Sequence, residues 1–210
     1  MTDPSGPPQL YLISPPVFEL STFPARLAAC LDLADVACVR LSLATRDEDA
    51  ICRAADALRE VTHSRDVALV IETHAVLAER LGLDGVHLTD GARSVRAIRK
   101  KLGADAIVGA FCGRSTHDGM TAGEAGADYI SFGPAGASAL GDGSRAEPDL
   151  FKWWSDMIEV PVVAEGNLDE ETIRTLSPFT DFLGIGEEIW GVEEPSDALC
   201  VLLRAMADAA

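Results

Sequence analysis

The sequence predicts a single (β/α)8 TIM barrel over residues 1–210, with residues 1–9 flexible. Three observations carry this expectation. Short apolar, β-branched runs alternate with longer helix-like stretches, eight of each. Runs such as VPVVAEG and ALVIE are continuously apolar, as parallel strands covered by helices are. The first run leads into Ser14-Pro15-Pro16, not into the Gly-rich turn that marks an open doubly wound sheet.

Strands are expected at Leu10–Ser14, Val36–Leu43, Val67–Glu72, Gly85–Leu88, Ile107–Phe111, Tyr129–Gly133, Val160–Glu165 and Phe182–Gly186. Helices are expected at Pro24–Ala34, Arg46–His63, His74–Leu81, Ala92–Leu102, Ser115–Ala125, Pro148–Met157, Glu170–Leu176 and Pro195–Asp208. Pro24 and Pro195 suit first helical turns, and Thr45 and Ser115 stand at helix starts. Ile51, Ala54, Ala55, Leu58 and Val61 recur at helical spacing and form a core-facing stripe. No linker divides the chain. The longest irregular stretch, Ala135–Glu147, follows the sixth strand, where a barrel carries active-site loops.

Seventeen Lys and Arg against 34 Asp and Glu give a net charge of −17. That balance argues against nucleic acid and anionic membranes as partners. The start, MTDPSGPPQL, has no basic region and no apolar run, so no signal peptide is expected. No stretch reaches the ~20 apolar residues of a membrane helix. The five cysteines are scattered without a Cys-x-x-Cys, which predicts idle thiols in a reducing cytoplasm. Cys112 is kept in view for its place after the fifth strand. Homo-oligomerisation is common among soluble enzymes and is carried as an expectation.

A barrel places its chemistry at the C-terminal ends of its strands. Period-two alternation puts Arg40, Ser42 and Ala44 on one face of the second strand. The later strand ends bring Glu72; His87 and Asp90; Arg114 and His117; Gly133 and Ser138; Glu165, Gly166 and Asn167; and Gly184, Gly186, Glu187 and Glu188. The glycines after the last two strands suit a phosphate held by backbone N–H groups, or simply tight turns. The carboxylates could hold Mg²⁺, supply a base, or stand solvated or paired to arginine. His87 is read as a structural hydrogen-bonding residue. Trp153, Trp154 and Trp190 are read as packing or oligomer contacts.

Three motifs then fall in register: LDGVHL at Leu83–Leu88, GADYISFGP at Gly126–Pro134 and VPVVAEG at Val160–Gly166. They resemble the DGVHLGQ, GADYIGxGP and PVVAIGG signatures of thiamine phosphate synthases and their thiazole tautomerase relatives. The resemblance runs from Leu10 to about Ile189. It implies a (β/α)8 barrel that joins a pyrimidine pyrophosphate to a thiazole phosphate and releases pyrophosphate with help from Mg²⁺. Small phosphorylated molecules are then the partners. Carried onto this chain, it implies Arg40, Ser42 and His117 at the reacting groups. Arg114, Gly133, Ser138, Gly166, Asn167 and Gly186 would contact substrate and phosphate. The family's metal-binding Asp falls near Ala92, two residues after Asp90, so Glu72 and Asp90 would hold Mg²⁺ in place of the family's aspartates.

The chain departs from the family pattern at the chemistry. The second strand has Arg40, Ser42 and Ala44 where the family carries Gln-x-Arg-x-Lys, so the lysine is absent. Glu72-Thr73 replaces Asn-Asp, Asn167 replaces the second Gly of the IGG signature, and Glu187 replaces a serine beside the expected phosphate. The Gly-x-Ser-x-His motif aligns either with Gly113–His117 or with Gly109–Gly113. None of the three lysines, Lys100, Lys101 and Lys152, falls in the mouth; the cations there are Arg40, Arg114 and Arg145. Three readings follow: a divergent synthase; an isomerase resembling the tautomerases with His117, or else Glu72 or Asp90, as its acid/base; and a non-catalytic relative that binds a thiamine intermediate or a protein partner.

Overall fold

The computed structural model describes residues 6–209. Its strands are β1 (Gln9–Ile13), β2 (Val36–Leu41), β3 (Ala68–Glu72), β4 (Gly85–Leu88), β5 (Ile107–Phe111), β6 (Tyr129–Phe132), β7 (Val162–Glu165) and β8 (Phe182–Ile185). All pair in parallel with their chain neighbours, and β8 closes on β1 through Leu10–Leu183 and Tyr11–Gly184. The predicted (β/α)8 barrel is therefore the fold. Of the segment expected to be flexible, residues 1–5 lie outside the described residues, and Gln9 already belongs to β1.

The helices are α1 (Phe23–Leu31), α2 (Glu48–His63), α3 (Ala75–Leu81), α4 (Val95–Leu102), α5 (Thr116–Ala125), α6 (Pro148–Met157), α7 (Glu170–Leu176), α8 (Glu187–Trp190) and α9 (Pro195–Ala207). The four-residue α8 is an addition to the expected set, because so short a helix leaves no periodic trace. Boundaries moved for local reasons. The α2 cap is Asp47, not Thr45: its carboxylate accepts from the N–H groups of Asp49 and Ala50. Ser115 caps α5 as expected, accepting from the Asp118 N–H. β7 begins after Pro161, which has no N–H for the ladder.

Two apolar layers form. Outward strand residues such as Leu12, Leu41, Leu69, Val86, Val108 and Phe132 pack with the helices into one core. Inward residues Tyr11, Cys38, Val70, Tyr129 and Val163 fill the lower barrel as a second. Burying each large apolar side chain contributes about 1.5–3 kcal/mol. Trp154 and Trp190 are packing residues, donating indole N–H groups to the carbonyls of Val160 and Ile13, whereas Trp153 is exposed.

One device repeats at the bottom of the barrel. Asp84, Asp128 and Asp181 stand just before β4, β6 and β8. Each carboxylate accepts the N–H of a residue on the preceding strand: Leu69, Val108 and Val162, at 2.7, 2.7 and 2.8 Å. Each aspartate also donates its own N–H to that same residue's carbonyl. His63, the last residue of α2, also meets Asp84, at 3.1 Å.

Candidate active site

Above the apolar floor the barrel interior turns polar. Register explains how: strand alternation points Arg40, Ser42, Glu72, His87, Ser131 and Glu165 inward. Glycines make the room. A Cβ on Gly109 would sit 2.0 Å from the Tyr129 ring, and one on Gly184 would sit 2.9 Å from the Glu165 Cβ. The side chains surround a cavity of about 540 Å³ open at the C-terminal strand ends, with Ala137–Gly141 of the sixth loop across one side. Gly136 donates to the Gly166 carbonyl and Asn167 Nδ2 to the Ala137 carbonyl, bracing that loop on the seventh.

The electrostatic centre is a buried ion pair. Arg40 Nη1 and Nη2 both donate to Glu165, the first at 3.3 Å, and Ser131 Oγ donates to Glu165 Oε1 at 2.5 Å. Arg40 Nε lies 3.8 Å from Glu72 Oε2, which accepts from Ser42 Oγ at 2.9 Å. Burial works against the Arg40 charge, but Glu165 outweighs it, so its pKa stands above the ordinary arginine value. Below runs a second chain: Tyr11 and Tyr129 share a 2.7 Å hydroxyl contact, and Tyr129 meets His87 Nδ1 at 3.0 Å. Burial, then the nearby Arg40, holds the His87 pKa well below its usual value. Burial first, then Asp118, pushes the Cys112 thiol up to about 12, which leaves it protonated and inert.

The residues singled out from sequence divide clearly. Arg40, Ser42, Glu72, Ser138, Gly166, Asn167 and Gly186 line the cavity, as do Glu165, Glu187 and Glu188. Gly133 is buried behind Glu165; a Cβ there would meet the Glu165 carbonyl at 2.5 Å. Arg114 and His117 are exposed and stand apart from the lining, His117 in the first turn of α5. Asp90 is also exposed and apart, accepting from Ser94 Oγ at 2.6 Å.

The pair suggested for Mg²⁺ does not come together. Glu72 is engaged by Ser42 and faces Arg40, and Asp90 is turned to Ser94. Among the described residues no group of three or more His, Cys, Asp or Glu could hold a metal ion. This donor set does not fit a protein-held Mg²⁺.

Glycine spacing gave no sign of the use made of Glu188. Its Oε2 accepts the Gly186 N–H at 2.6 Å and its Oε1 the Leu168 N–H at 2.8 Å. The carboxylate thus ties the loops after β7 and β8 together, using N–H groups where barrels commonly bind phosphate. Ser131, Tyr11 and Tyr129 were also missed, though alternation through GADYIS would have turned Tyr129 and Ser131 inward together.

Comparison with known proteins gives a consistent result. The family described as thiamine monophosphate synthase matches residues 10–179. A thiamine-phosphate synthase of Rhodospirillum centenum is 43% identical over 186 residues, covering 87% of this chain and 89% of that protein. One of Erythrobacter litoralis is 36% identical over 200 residues, covering 92% and 93%. The solved thiamine phosphate pyrophosphorylase of Pyrococcus furiosus superposes with a TM-score of 0.83 over 96% of each chain; at 18% identity that likeness bears on the fold alone. With the family's match running from the first barrel strand to the end of the seventh βα unit, this chain belongs to the thiamine monophosphate synthase family.

Proposed function

We propose that the protein acts in thiamine biosynthesis as a synthase of its family, joining a pyrimidine pyrophosphate to a thiazole phosphate with release of pyrophosphate. The observation that carries this reading is the position of the cavity. It lies at the strand C-termini, between Arg40 and Glu72 on one side and Gly166, Asn167 and Gly186 on the other. In this reading Arg40 and Ser42 flank the reacting groups. The loops of Gly133, Ser138, Gly166, Asn167 and Gly186 enclose the substrates, and Arg114 attracts anions from the rim. Asp90 and His117, outside the lining, take no step in it, and no step runs through Mg²⁺. Small phosphorylated partners, a cytoplasmic location and a homo-oligomer belong to the same proposal. No helix among the described residues is long and apolar enough to cross a membrane.

The test is product formation from both substrates at high protein concentration, with and without added Mg²⁺. Thiamine phosphate formed at a rate that falls in Arg40→Met supports the reading; no product sinks it. A second reading, a relative that binds a thiamine intermediate without turnover, is favoured by one observation: Glu165 already neutralises Arg40, the cation of the cavity lining. Calorimetry with thiazole phosphate, showing binding without product, would select it.

A further inference from the structure

Among the described residues, two buried side-chain nitrogens lack a hydrogen-bond partner: Arg40 Nε and His87 Nε2. Both side chains line the same cavity, and both residues are more than nine-tenths buried. A buried polar group without a partner is costly, so such groups are rare and tend to mark a function. Two on one cavity point to a ligand that completes them.

The hydrogen-bond chain beneath decides what His87 offers. Tyr11, Tyr129 and a neutral His87 share three hydrogens along two contacts. If Tyr11 donates to Tyr129 and Tyr129 donates to His87 Nδ1, every hydroxyl hydrogen is used, and the ring hydrogen sits on Nε2. If instead His87 Nδ1 donates to Tyr129, either the Tyr11 or the Tyr129 hydrogen is left buried without an acceptor, since neither hydroxyl has another partner among the described residues. The first arrangement leaves fewer groups unpaired.

We propose that His87 is a substrate-positioning residue, fixed by the Tyr11–Tyr129 relay as an Nε2–H donor, and that with Arg40 Nε–H it takes an uncharged acceptor on the ligand. The acceptor is a ring nitrogen or a carbonyl oxygen, not an oxyanion. Glu165 offsets the Arg40 charge and Glu72 Oε2 lies 3.8 Å from Arg40 Nε, so an anionic oxygen there would face two carboxylates against one guanidinium. The proposal rests on the cavity being the substrate site, but its readouts do not depend on turnover.

The experiment is long-range ¹H–¹⁵N NMR of histidine-labelled protein, with the His87 signal assigned by loss in His87→Phe. The expected pattern is an unprotonated Nδ1 and a protonated Nε2, unchanged as the pH falls through the ordinary histidine value near ~6.5. Tyr129→Phe, which removes the relay hydroxyl and keeps the ring, should shift that pattern. The probe 4-amino-5-hydroxymethyl-2-methylpyrimidine should move the Nε2 proton resonance and bind His87→Phe at least ~10-fold more weakly, about 1.4 kcal/mol. A protonated Nδ1, an unaltered pattern in Tyr129→Phe, a probe that does not bind, or equal binding to His87→Phe each overturns the proposal. So does inorganic phosphate moving the same resonance. Failure of synthase activity alone would leave these readouts intact and count only against the proposed reaction.

Discussion

Replacing Glu165 with Gln tests the electrostatic account of the barrel interior most directly. The carboxylate accepts from Arg40 Nη1, Arg40 Nη2 and Ser131 Oγ. An amide keeps one oxygen and turns an NH₂ group, itself a donor, toward a guanidinium that only donates. A buried arginine is left without its counter-charge, and breaking a buried pair from one side costs about 3–5 kcal/mol. Domains of this size lose roughly 2–4 °C per kcal/mol, so the melting temperature should fall by roughly 6–20 °C. Removing both charges in Arg40→Met/Glu165→Ile should return stability to within about 1 kcal/mol of the original or raise it, because no charge then stays buried alone. Urea unfolding followed by circular dichroism at neutral pH, with calorimetry for the melting temperature, reads both variants. A single variant within about 1 kcal/mol of the parent, or a double variant no better than the single, would refute the reasoning.

Glu188→Ala frees the N–H groups of Gly186 and Leu168 and should raise the affinity for inorganic phosphate about tenfold or more by titration calorimetry, since an internal carboxylate no longer competes for them. His87→Gln should flatten the acid side of the pH–stability profile. His87 is neutral when folded, with its pKa depressed by burial and by Arg40, while the unfolded residue titrates near ~6.5. Between those values the unfolded chain holds the extra proton, so the parent is fully stable above about pH 6.5 and loses stability as pH falls. The parent-minus-variant difference in urea unfolding should therefore shrink on acidification. Gly109→Ala places a methyl 2.0 Å from the Tyr129 ring and should destabilise by about 1–3 kcal/mol or more, with loss of the His87–Tyr129 contact in the NMR pattern.

The barrel was legible because its signal is local and repeated: parallel strands, buried on both faces, write continuous apolar runs, and helices separate them. The site was legible only as far as alternation reaches. It put Arg40, on β2, and Ser42, just past its end, on one side, where both line the cavity, and named Glu72 and Glu165 as mouth carboxylates. It could not show that Arg40 and Glu165, 125 residues apart, neutralise each other, because contacts between strands of a closed sheet leave no spacing in the chain. His117 and Asp90 show the opposite failure. Both follow strand ends, but His117 already sits in α5 and Asp90 is engaged by Ser94 outside the cavity lining, and a count of residues past a strand says nothing about either. Glu188 was visible as an acid after the eighth strand; its use as a loop tie depends on a two-residue hook back to Gly186 that only the folded backbone displays.

The aspartates before β4, β6 and β8 give the barrel a grain. Each grips, through side chain and backbone, one residue of the strand just before it, so the cylinder is stapled as β3–β4, β5–β6 and β7–β8. The joints β2–β3, β4–β5 and β6–β7 have no such staple among the described residues. A cut between β4 and β5 would leave every staple within one fragment, whereas a cut between β5 and β6 would divide Asp128 from Val108. Two halves, β1–β4 and β5–β8, are therefore the equal pieces into which this cylinder can be parted with its stitching whole.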